Sequence, residues 1–215
     1  MTSTMIKKPV ESYSVYKGIS ELKRIRLSTS IAFDTETLQI QPEKGKLRLI
    51  QLGCNLTKTI VVIDCFDLSL DDWDVLKQFF HSIDRFWLAH NAVFDLGWLQ
   101  EHDIYPKGTV KCSFLANRLL YNGISEVKHG LDAVAKKHLN MIVSKEQQKS
   151  DWGAEILSKE QLTYAAKDIE VLLRLDNILN SKIREAGLRE AYDLECQILP
   201  AMAQMWRVGL PWDIK

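Results

Sequence analysis

The stretch SIAFDTET, residues 30–37, places two acidic residues inside an otherwise apolar strand pattern. Because a β-strand alternates its faces, residues two apart point the same way, so Asp34 and Glu36 emerge side by side. Two like charges held together cost free energy, and burial increases that cost. A divalent cation bound between the carboxylates would make their proximity favourable. We therefore interpret this pair as half of a metal site.

The composition is that of an ordinary globular protein. The chain has 215 residues, of which 46% are hydrophobic, so it can form one large domain or two small ones with a full core. Its 28 Lys and Arg balance its 28 Asp and Glu, and this neutrality provides no bulk attraction to nucleic acid or membrane. Bound cations could still neutralise a polyanionic substrate locally. No apolar run approaches the roughly 20 residues that span a bilayer.

The cysteines point to a reducing compartment. Cys54, Cys65, Cys112 and Cys196 include no C-x-x-C pair of the kind that binds zinc or performs redox chemistry. We interpret them as reduced, packed thiols and expect a cytoplasmic protein. The first residues lack the apolar centre of a secretory signal, and residues 1–17 are predicted to form a flexible lead-in.

Hydrophobic periodicity predicts one α/β domain. Strands are predicted over 30–37, 46–54, 58–65, 85–91 and 109–113. Helices are predicted over 18–27, 68–82, 94–103, 113–123, 131–140, 158–187 and 188–209. Ser158 and Gln161 have the spacing of a capping box, Pro200 should kink or split the last helix, and the short connection after Cys54 favours antiparallel pairing. This order of elements is typical of a mixed five-stranded sheet flanked by helices.

Two further segments carry acids in suggestive places. Asp95 follows a predicted strand, with Asn91 four residues earlier; taken alone, they also fit a helix N-terminal acid and a turn residue. In YAAKD, the four-residue step from Tyr164 to Asp168 stacks both side chains on one helix face. Asp168 has apolar surroundings, so it is either paired with a basic neighbour or a metal ligand.

Taken together, FDTET (33–37), HNAVFD (90–95) and YAAKD (164–168) resemble the three motifs of the DEDD superfamily of 3′–5′ exonucleases. The branch resembled is the tyrosine-containing one, which includes ribonuclease D and the proofreading domain of family-A DNA polymerases. The resemblance runs from about residue 30 to 180 and implies a ribonuclease-H-like fold, with an exonuclease domain over 18–190. The tripeptide KCS (111–113) departs from the Asp-Thr that relatives often carry.

The resemblance also implies the roles of the site residues. Asp34 would bridge two cations, Glu36 and Asp168 would complete the site of the attacking water, and Asp95 would hold the second cation. Tyr164 would orient the water through its hydroxyl, since a usual pKa near 10 argues against a role as the base. Oxygen ligands suit Mg²⁺ or Mn²⁺ better than Zn²⁺.

The substrate end of the site is less determined. Leu38, Ile40 and Asn91 fall at the matching substrate-binding positions, where Leu38 and Ile40 would wedge against terminal bases or simply pack in a loop. The last stretch, 198–213, resembles the passage from the proofreading module into the polymerase module of family-A polymerases. Residues 191–215 are therefore expected to form a C-terminal helical extension.

The leading hypothesis is a metal-dependent 3′–5′ exonuclease that releases nucleoside 5′-monophosphates from single-stranded 3′ ends. The polymerase-like tail favours DNA or mixed substrates, whereas the ribonuclease-D-like third motif favours RNA processing. A non-catalytic nucleic-acid-binding module and a globular protein with structural acids are the alternatives. A mildly basic cluster is interpreted either as a solvated helix face or as a contact for the phosphate backbone; it comprises Lys128, His129, Lys136, Lys137 and His138.

Overall fold

The computed structural model of the chain describes residues 13–209 and the backbone of residues 4–6. Within these residues, seven strands form one sheet. The strands are β1 (Thr4–Ile6), β2 (Ser14–Lys17), β3 (Ser30–Thr37), β4 (Leu47–Cys54), β5 (Thr59–Asp64), β6 (Arg85–Ala89) and β7 (Gly108–Cys112). The α-helices are α1 (Leu70–His81), α2 (Ala92–Glu101), α3 (Ser113–Leu120), α4 (Leu131–Leu139), α5 (Lys159–Glu185), α6 (Arg189–Gln197) and α7 (Leu199–Val208). Short 3₁₀ helices cover Ile19–Arg24, Pro42–Lys44, Cys65–Asp67 and Glu146–Lys149. None of the described helices has an apolar run long enough to cross a membrane.

The sheet is mixed, as predicted, but it is wider than predicted. Its strand order is β1-β2-β5-β4-β3-β6-β7, so β3 lies between antiparallel β4 and parallel β6. The five predicted strands are present, and β4 pairs antiparallel with β5 as the short connection indicated. Residues 14–17, expected in a flexible lead-in, instead form β2, which pairs in parallel with β5 and buries Val15 completely. The lead-in prediction failed there because the contact that orders these residues comes from a distant strand.

Strand β3 extends past β6 at the end that carries its acids. The two strands pair only from Ser30 to Ala32, whereas β4 stays beside β3 as far as Thr37. After Ala89 the chain leaves the sheet through Asn91, which has a φ of 56°. Asn tolerates this left-handed conformation better than most residues. On the side away from β4, the end of β3 therefore borders a groove.

Alternation along β3 sends its residues into two different layers. Phe33 packs in a core with α1 and α2, whereas Ala32 packs in a core with α5. Asp34 and Glu36 continue the series of Ala32 and point toward the face covered by α5. Thr35 continues the opposite series and points toward α2.

Helix α5 approaches the sheet closely at Gly53, the partner of Ala32 in β4. A Cβ atom at position 53 would lie 2.2 Å from Cγ2 of Ile169, far inside the distance at which non-bonded carbons attract. The missing side chain at Gly53 thus lets the helix rest directly on the sheet. Asp168, which precedes Ile169, is held at the end of β3 by this contact.

The C-terminal helices brace the element that carries Asp95. The predicted split near Pro200 is confirmed by the separate helices α6 and α7. Helix α7 packs along α2, where a Cβ atom at Gly97 would lie 2.6 Å from the ring of Trp206. The polymerase-like pattern over 198–213 continues past residue 209, outside the described residues, so a separate extension over 191–215 stays a prediction.

Candidate active site

Three acids from two elements meet at the end of β3. Ligand oxygens of Asp34, Glu36 and Asp168 all lie within 4.8 Å of one another. Asp168 is buried, whereas Asp34 and Glu36 are half-buried and face the groove. Strand alternation positions the first two carboxylates, and the close approach of α5 positions the third. The structure thus brings together three of the four acids that sequence analysis assigned to the metal site.

Asp95, the fourth acid, lies beside this cluster in the first turn of α2. Its Oδ1 accepts a hydrogen bond of 2.7 Å from the hydroxyl of Thr35. Both residues are buried. Thr35 was not among the predicted site residues, although a signal was present: a residue between two acids of a strand points to the opposite face, where α2 packs.

Tyr164 lies one helical turn before Asp168, on the same face of α5. Its interaction with the Asp168 carboxylate opposes the rise that burial causes in the pKa of that carboxyl. Burial, followed by the nearby charges of Asp168, Glu36 and Asp34, raises the pKa of the Tyr164 phenol above its usual value. Tyr164 therefore keeps its proton at neutral pH, and its hydroxyl is available as a hydrogen-bond donor.

The start of α5 is tied to the loop over 144–154. The predicted capping box is present, since Ser158 Oγ accepts from the Gln161 N–H at 3.1 Å and Gln161 Oε1 accepts from the Ser158 N–H at 2.8 Å. Gln161 Nε2 also donates to the carbonyl of Asp151 at 3.0 Å. The neighbouring Trp152 is buried, and the centroid of its ring lies 6.4 Å from the centroid of the Tyr164 ring. These contacts hold the loop against the helix that carries Tyr164 and Asp168.

A buried arginine anchors the other end of this loop. Arg48 in β4 forms an ion pair with Asp64 in β5, with Nε and Nη2 each 3.0 Å from a carboxylate oxygen. Its Nη1 donates to the carbonyl of Ala154 at 2.6 Å. This pair was not predicted, because no local pattern indicates which buried strand arginine will reach a loop more than a hundred residues away.

The four acids are electrostatically coupled. Burial and then the charge of Asp95 raise the pKa of Asp34 well above its usual range. Burial also raises the pKa values of Glu36 and Asp168, with further contributions from their carboxylate neighbours. The pKa of Asp95 rises to about 7 through burial, although hydrogen bonds from Thr35 oppose the rise. Without cations, this cluster therefore retains protons that isolated carboxyl groups would lose.

The donor set fits divalent cations. Asp168 Oδ1 is buried and has no hydrogen-bond partner among the described residues. The sequence also allowed an ion pair between Asp168 and a basic neighbour, but Lys167 pairs with Glu170 at 2.9 Å instead. In the described part of the chain, Asp34, Glu36, Asp95 and Asp168 form no ion pair with Lys or Arg. Carboxylate oxygens of this kind are the ligands that Mg²⁺ and Mn²⁺ prefer.

The raised pKa values predict an unusual pH dependence of stability. Carboxyl groups in the unfolded chain have a pKa of about 4, whereas the pKa of Asp95 in the folded protein is about 7. Between those values the cation-free folded state binds more protons than the unfolded state, so its stability falls as the pH rises. We expect the cation-free melting temperature to decrease across this window. Mg²⁺ should raise the melting temperature more at about pH 8 than at about pH 6, because bound cations replace the protons.

Thermal melts in EDTA and in saturating Mg²⁺ across this pH range check the prediction. Asp74→Asn, in an exposed acid of α1, is the control and should leave the pH profile unchanged. An Mg²⁺ effect that does not grow with pH would contradict the proposed exchange of protons for cations.

A groove of about 850 Å³ opens over the acids. This volume lies in the range of about 300–1,000 Å³ typical of ligand pockets. The three predicted substrate-binding residues, Leu38, Ile40 and Asn91, all line it. Phe94 of α2 and Phe114 of α3 line it too and were not identified from the sequence.

The basic cluster forms part of a structural network. Its two histidines bond to the buried Asn117: His129 lies 2.7 Å from Nδ2, and His138 lies 3.0 Å from Oδ1. Lys182 lies 3.1 Å from the other ring nitrogen of His138. Among the described residues, this network connects α3, α4 and α5, and the cluster does not line the groove.

A comparison with known protein families identifies the chain. The sequence model of the family described as 3′–5′ exonuclease matches residues 11–184. The chain belongs to this family. The family match and the relatives described below confirm three predictions. The chain is a DEDD 3′–5′ exonuclease, it has a ribonuclease-H-like fold, and it is a hydrolytic nuclease. The family depends on metal ions, in agreement with the acidic cluster.

Two curated relatives resemble this exonuclease to a similar degree. It is 30% identical over 173 residues to DNA polymerase I of Aquifex aeolicus, covering 80% of this chain and 27% of the relative. It is 29% identical over 174 residues to ribonuclease D of Haemophilus influenzae, covering 80% of this chain and 42% of the relative. The exonuclease therefore spans less than half the length of either relative.

Solved structures match it over more of their length. The apo form of a nuclease has a TM-score of 0.80 and 30% identity, with 93% of this chain and 95% of that chain covered. NrnC of Brucella melitensis bound to pGG has a TM-score of 0.74 and 26% identity, with 86% of this chain and 87% of that chain covered. NrnC has also been solved with bound Mg²⁺.

Proposed function

We propose that this exonuclease removes nucleoside 5′-monophosphates from the 3′ ends of single-stranded DNA and RNA, using two Mg²⁺ or Mn²⁺ ions. The observation that carries the proposal is the convergence of Asp34, Glu36 and Asp168 within 4.8 Å, with Asp95 beside them, at the floor of one groove. Two divalent cations held there would activate a water molecule and neutralise charge on the attacking and leaving oxygens.

Each acid has a distinct proposed role. Asp34, at the centre of the coupled cluster, would contact both cations, with Glu36 and Asp168 completing one site. Asp95 would serve the second site, and the hydrogen bond from the Thr35 hydroxyl supports this role because it holds Oδ1 of Asp95 beside the other acids. The donor chemistry favours Mg²⁺ or Mn²⁺ over Zn²⁺.

Mixed substrate specificity is supported by the relatives. DNA polymerase I and ribonuclease D are almost equally similar in sequence to this chain. A ribonuclease-D-like role in RNA processing is the second candidate, favoured by the likeness to NrnC bound to the dinucleotide pGG. Leu38 and Ile40, both exposed and lining the groove, would contact the terminal bases, and Asn91 would contact the terminal nucleotide.

Hydrolysis of matched DNA and RNA oligonucleotides tests the function. A 5′-labelled strand should shorten one nucleotide at a time in Mg²⁺ or Mn²⁺ and stay intact in EDTA, with nucleoside 5′-monophosphates as products. Comparable rates on DNA and RNA support mixed specificity, whereas strong preference for RNA supports the second candidate. Release from the 5′ end, or hydrolysis that persists in EDTA, contradicts the proposal.

Tyr164→Phe should separate catalysis from cation binding. Its hydroxyl would orient the attacking water, a contribution of about 10²-fold in kcat by analogy with other positioned groups. We expect kcat to fall by about that factor, while the rise in melting temperature with Mg²⁺ is retained because no carboxylate is lost. Unchanged kcat would remove Tyr164 from the mechanism, and loss of the Mg²⁺ effect would instead assign it to the cation site.

We propose a cytosolic location for the enzyme. The support is chemical: Cys54, Cys65, Cys112 and Cys196 are all free and buried, as expected of thiols that pack in a reducing compartment. Non-reducing electrophoresis of the protein isolated under thiol-blocking conditions, together with cell fractionation, tests this location.

A further inference from the structure

The groove has an uneven distribution of charge. The described residues that line it include five acids, four of them in the proposed cation site. Positive side chains among the same residues are confined to Lys145 and Lys149, both in the segment over 143–152. His90 also lines the groove, but burial lowers its pKa to about 4, so it is neutral at physiological pH. The groove thus has one cationic wall.

The fifth acid, Asp132, faces this wall. Lys145 Nζ lies 2.8 Å from Asp132 Oδ1, and the ion pair joins the first turn of α4 to the loop over 144–154. Burial by itself would raise the pKa of Asp132. The hydrogen bond and charge of Lys145, together with backbone hydrogen bonds, outweigh that effect, so the pKa of Asp132 lies below its usual value. Asp132 is therefore ionised and neutralises Lys145. Lys149 forms no ion pair with a carboxylate among the residues that the structure describes.

We infer that Lys145 and Lys149 bind the phosphates that lie 5′ of the scissile bond, and that Asp132 competes with the nucleic acid for Lys145. The inference rests on the proposed function, because that function places the scissile phosphate at the four acids. The rest of the strand must then leave through the groove, and its phosphates need positive charge that the neutral chain does not supply elsewhere in the groove.

The exposure of the pair makes the competition feasible. The Lys145 side chain is 56% exposed and that of Asp132 is 32% exposed, so water and a phosphate can reach the ammonium group. Exposed ion pairs of this kind contribute little to stability, and exchange of one anion for another needs no rearrangement of the core. Replacing Asp132 should therefore strengthen nucleic-acid binding, whereas replacing either lysine should weaken it.

Binding of an uncleavable strand tests the inference independently of catalysis. The probe is a 5′-fluorescent single strand whose 3′-terminal linkage is a neutral methylphosphonate, and anisotropy is measured in Mg²⁺ over a range of salt. Lys145→Met and Lys149→Met should each weaken binding by about tenfold and reduce the slope of log K against log salt by about 0.7. Asp132→Asn should tighten binding about two- to fivefold. Lys136→Met, in an exposed lysine of α4 away from the groove, should change neither quantity.

Two further comparisons make the result specific. In the double variant, Asp132→Asn should no longer tighten binding once Lys145 is Met, because its effect acts through that lysine. A second neutral linkage can be moved along the strand, one phosphate at a time. Where it replaces the phosphate that Lys145 contacts, it should abolish the effect of Lys145→Met. The inference is overturned if both lysine variants keep the wild-type slope, or if Asp132→Asn leaves affinity unchanged or weaker. Failure of the proposed function would be distinct, since it would appear as a wild-type protein that does not hydrolyse unmodified strands.

Discussion

Asp34→Asn should abolish hydrolysis while making the cation-free protein more stable. A cation pair contributes several kcal/mol of transition-state stabilisation, and each 1.4 kcal/mol is about tenfold in rate, so the loss should be at least about a thousandfold. The same substitution removes a carboxyl group whose ionisation is made unfavourable in the folded state by burial and by neighbouring carboxylates. We therefore expect a higher melting temperature in EDTA and a smaller rise with Mg²⁺. Oligonucleotide hydrolysis and thermal melts measure the two effects.

The opposite signs of these two effects make the prediction specific. A general loss of folding would lower activity and melting temperature together. Asp74→Asn on α1 is the matched control, because it makes the same chemical change at an exposed position, and it should alter neither quantity. Full activity of Asp34→Asn would contradict the metal-site assignment, and a lower melting temperature in EDTA would contradict the repulsion between the acids.

Gly53→Ala should damage the site by displacing α5. The new Cβ would lie 2.2 Å from Cγ2 of Ile169 and 3.1 Å from Cδ1 of Leu173, so α5 must shift. Overpacking of this kind costs about 1–3 kcal/mol, and a displacement of about 1 Å in a catalytic group can cost about a hundredfold in rate. We expect lower stability in denaturant unfolding and a loss of that order in kcat, because Asp168 and Tyr164 move with the helix.

A double-mutant cycle with Ile169→Ala tests whether this contact is the cause. In the Ile169→Ala background the methyl group nearest to the new Cβ is gone, so Gly53→Ala should cost less free energy of unfolding than in the wild type. Without any clash, Gly→Ala in a strand would stabilise by about 0.4–1 kcal/mol through the unfolded chain. A stabilised, fully active Gly53→Ala protein would therefore contradict the close approach of α5.

Much of the site could be predicted from local sequence patterns. Alternation in β3 determines that Asp34 and Glu36 share a face, and helical periodicity determines that Tyr164 and Asp168 share another. The capping box of Ser158 and the split of the last helix are also local, because they depend on residues within a few positions. These features were predicted correctly since each depends on geometry that a short segment imposes on itself.

Other features depend on contacts between distant segments. β2 is ordered by pairing with β5, so no property of residues 14–17 alone distinguishes a strand from a lead-in. The bond from Thr35 to Asp95 and the ion pair between Lys145 and Asp132 join elements that approach one another only after folding. Hydrogen bonds and ion pairs of this kind act over a few ångströms, and sequence separation does not encode those distances.

Local patterns along the chain specify which carboxylate oxygens are available and which face of each strand or helix they occupy. How those faces meet depends on the packing of distant elements. The absence of a side chain at Gly53 lets α5 pack closely against the sheet. The hydroxyl of Thr35 holds Asp95 beside the other acids. The loop over 144–154 places Lys145 and Lys149 on one wall of the groove. These contacts escape sequence patterns because side-chain periodicity is a local property, whereas the assembly of a site depends on packing between elements far apart in the chain.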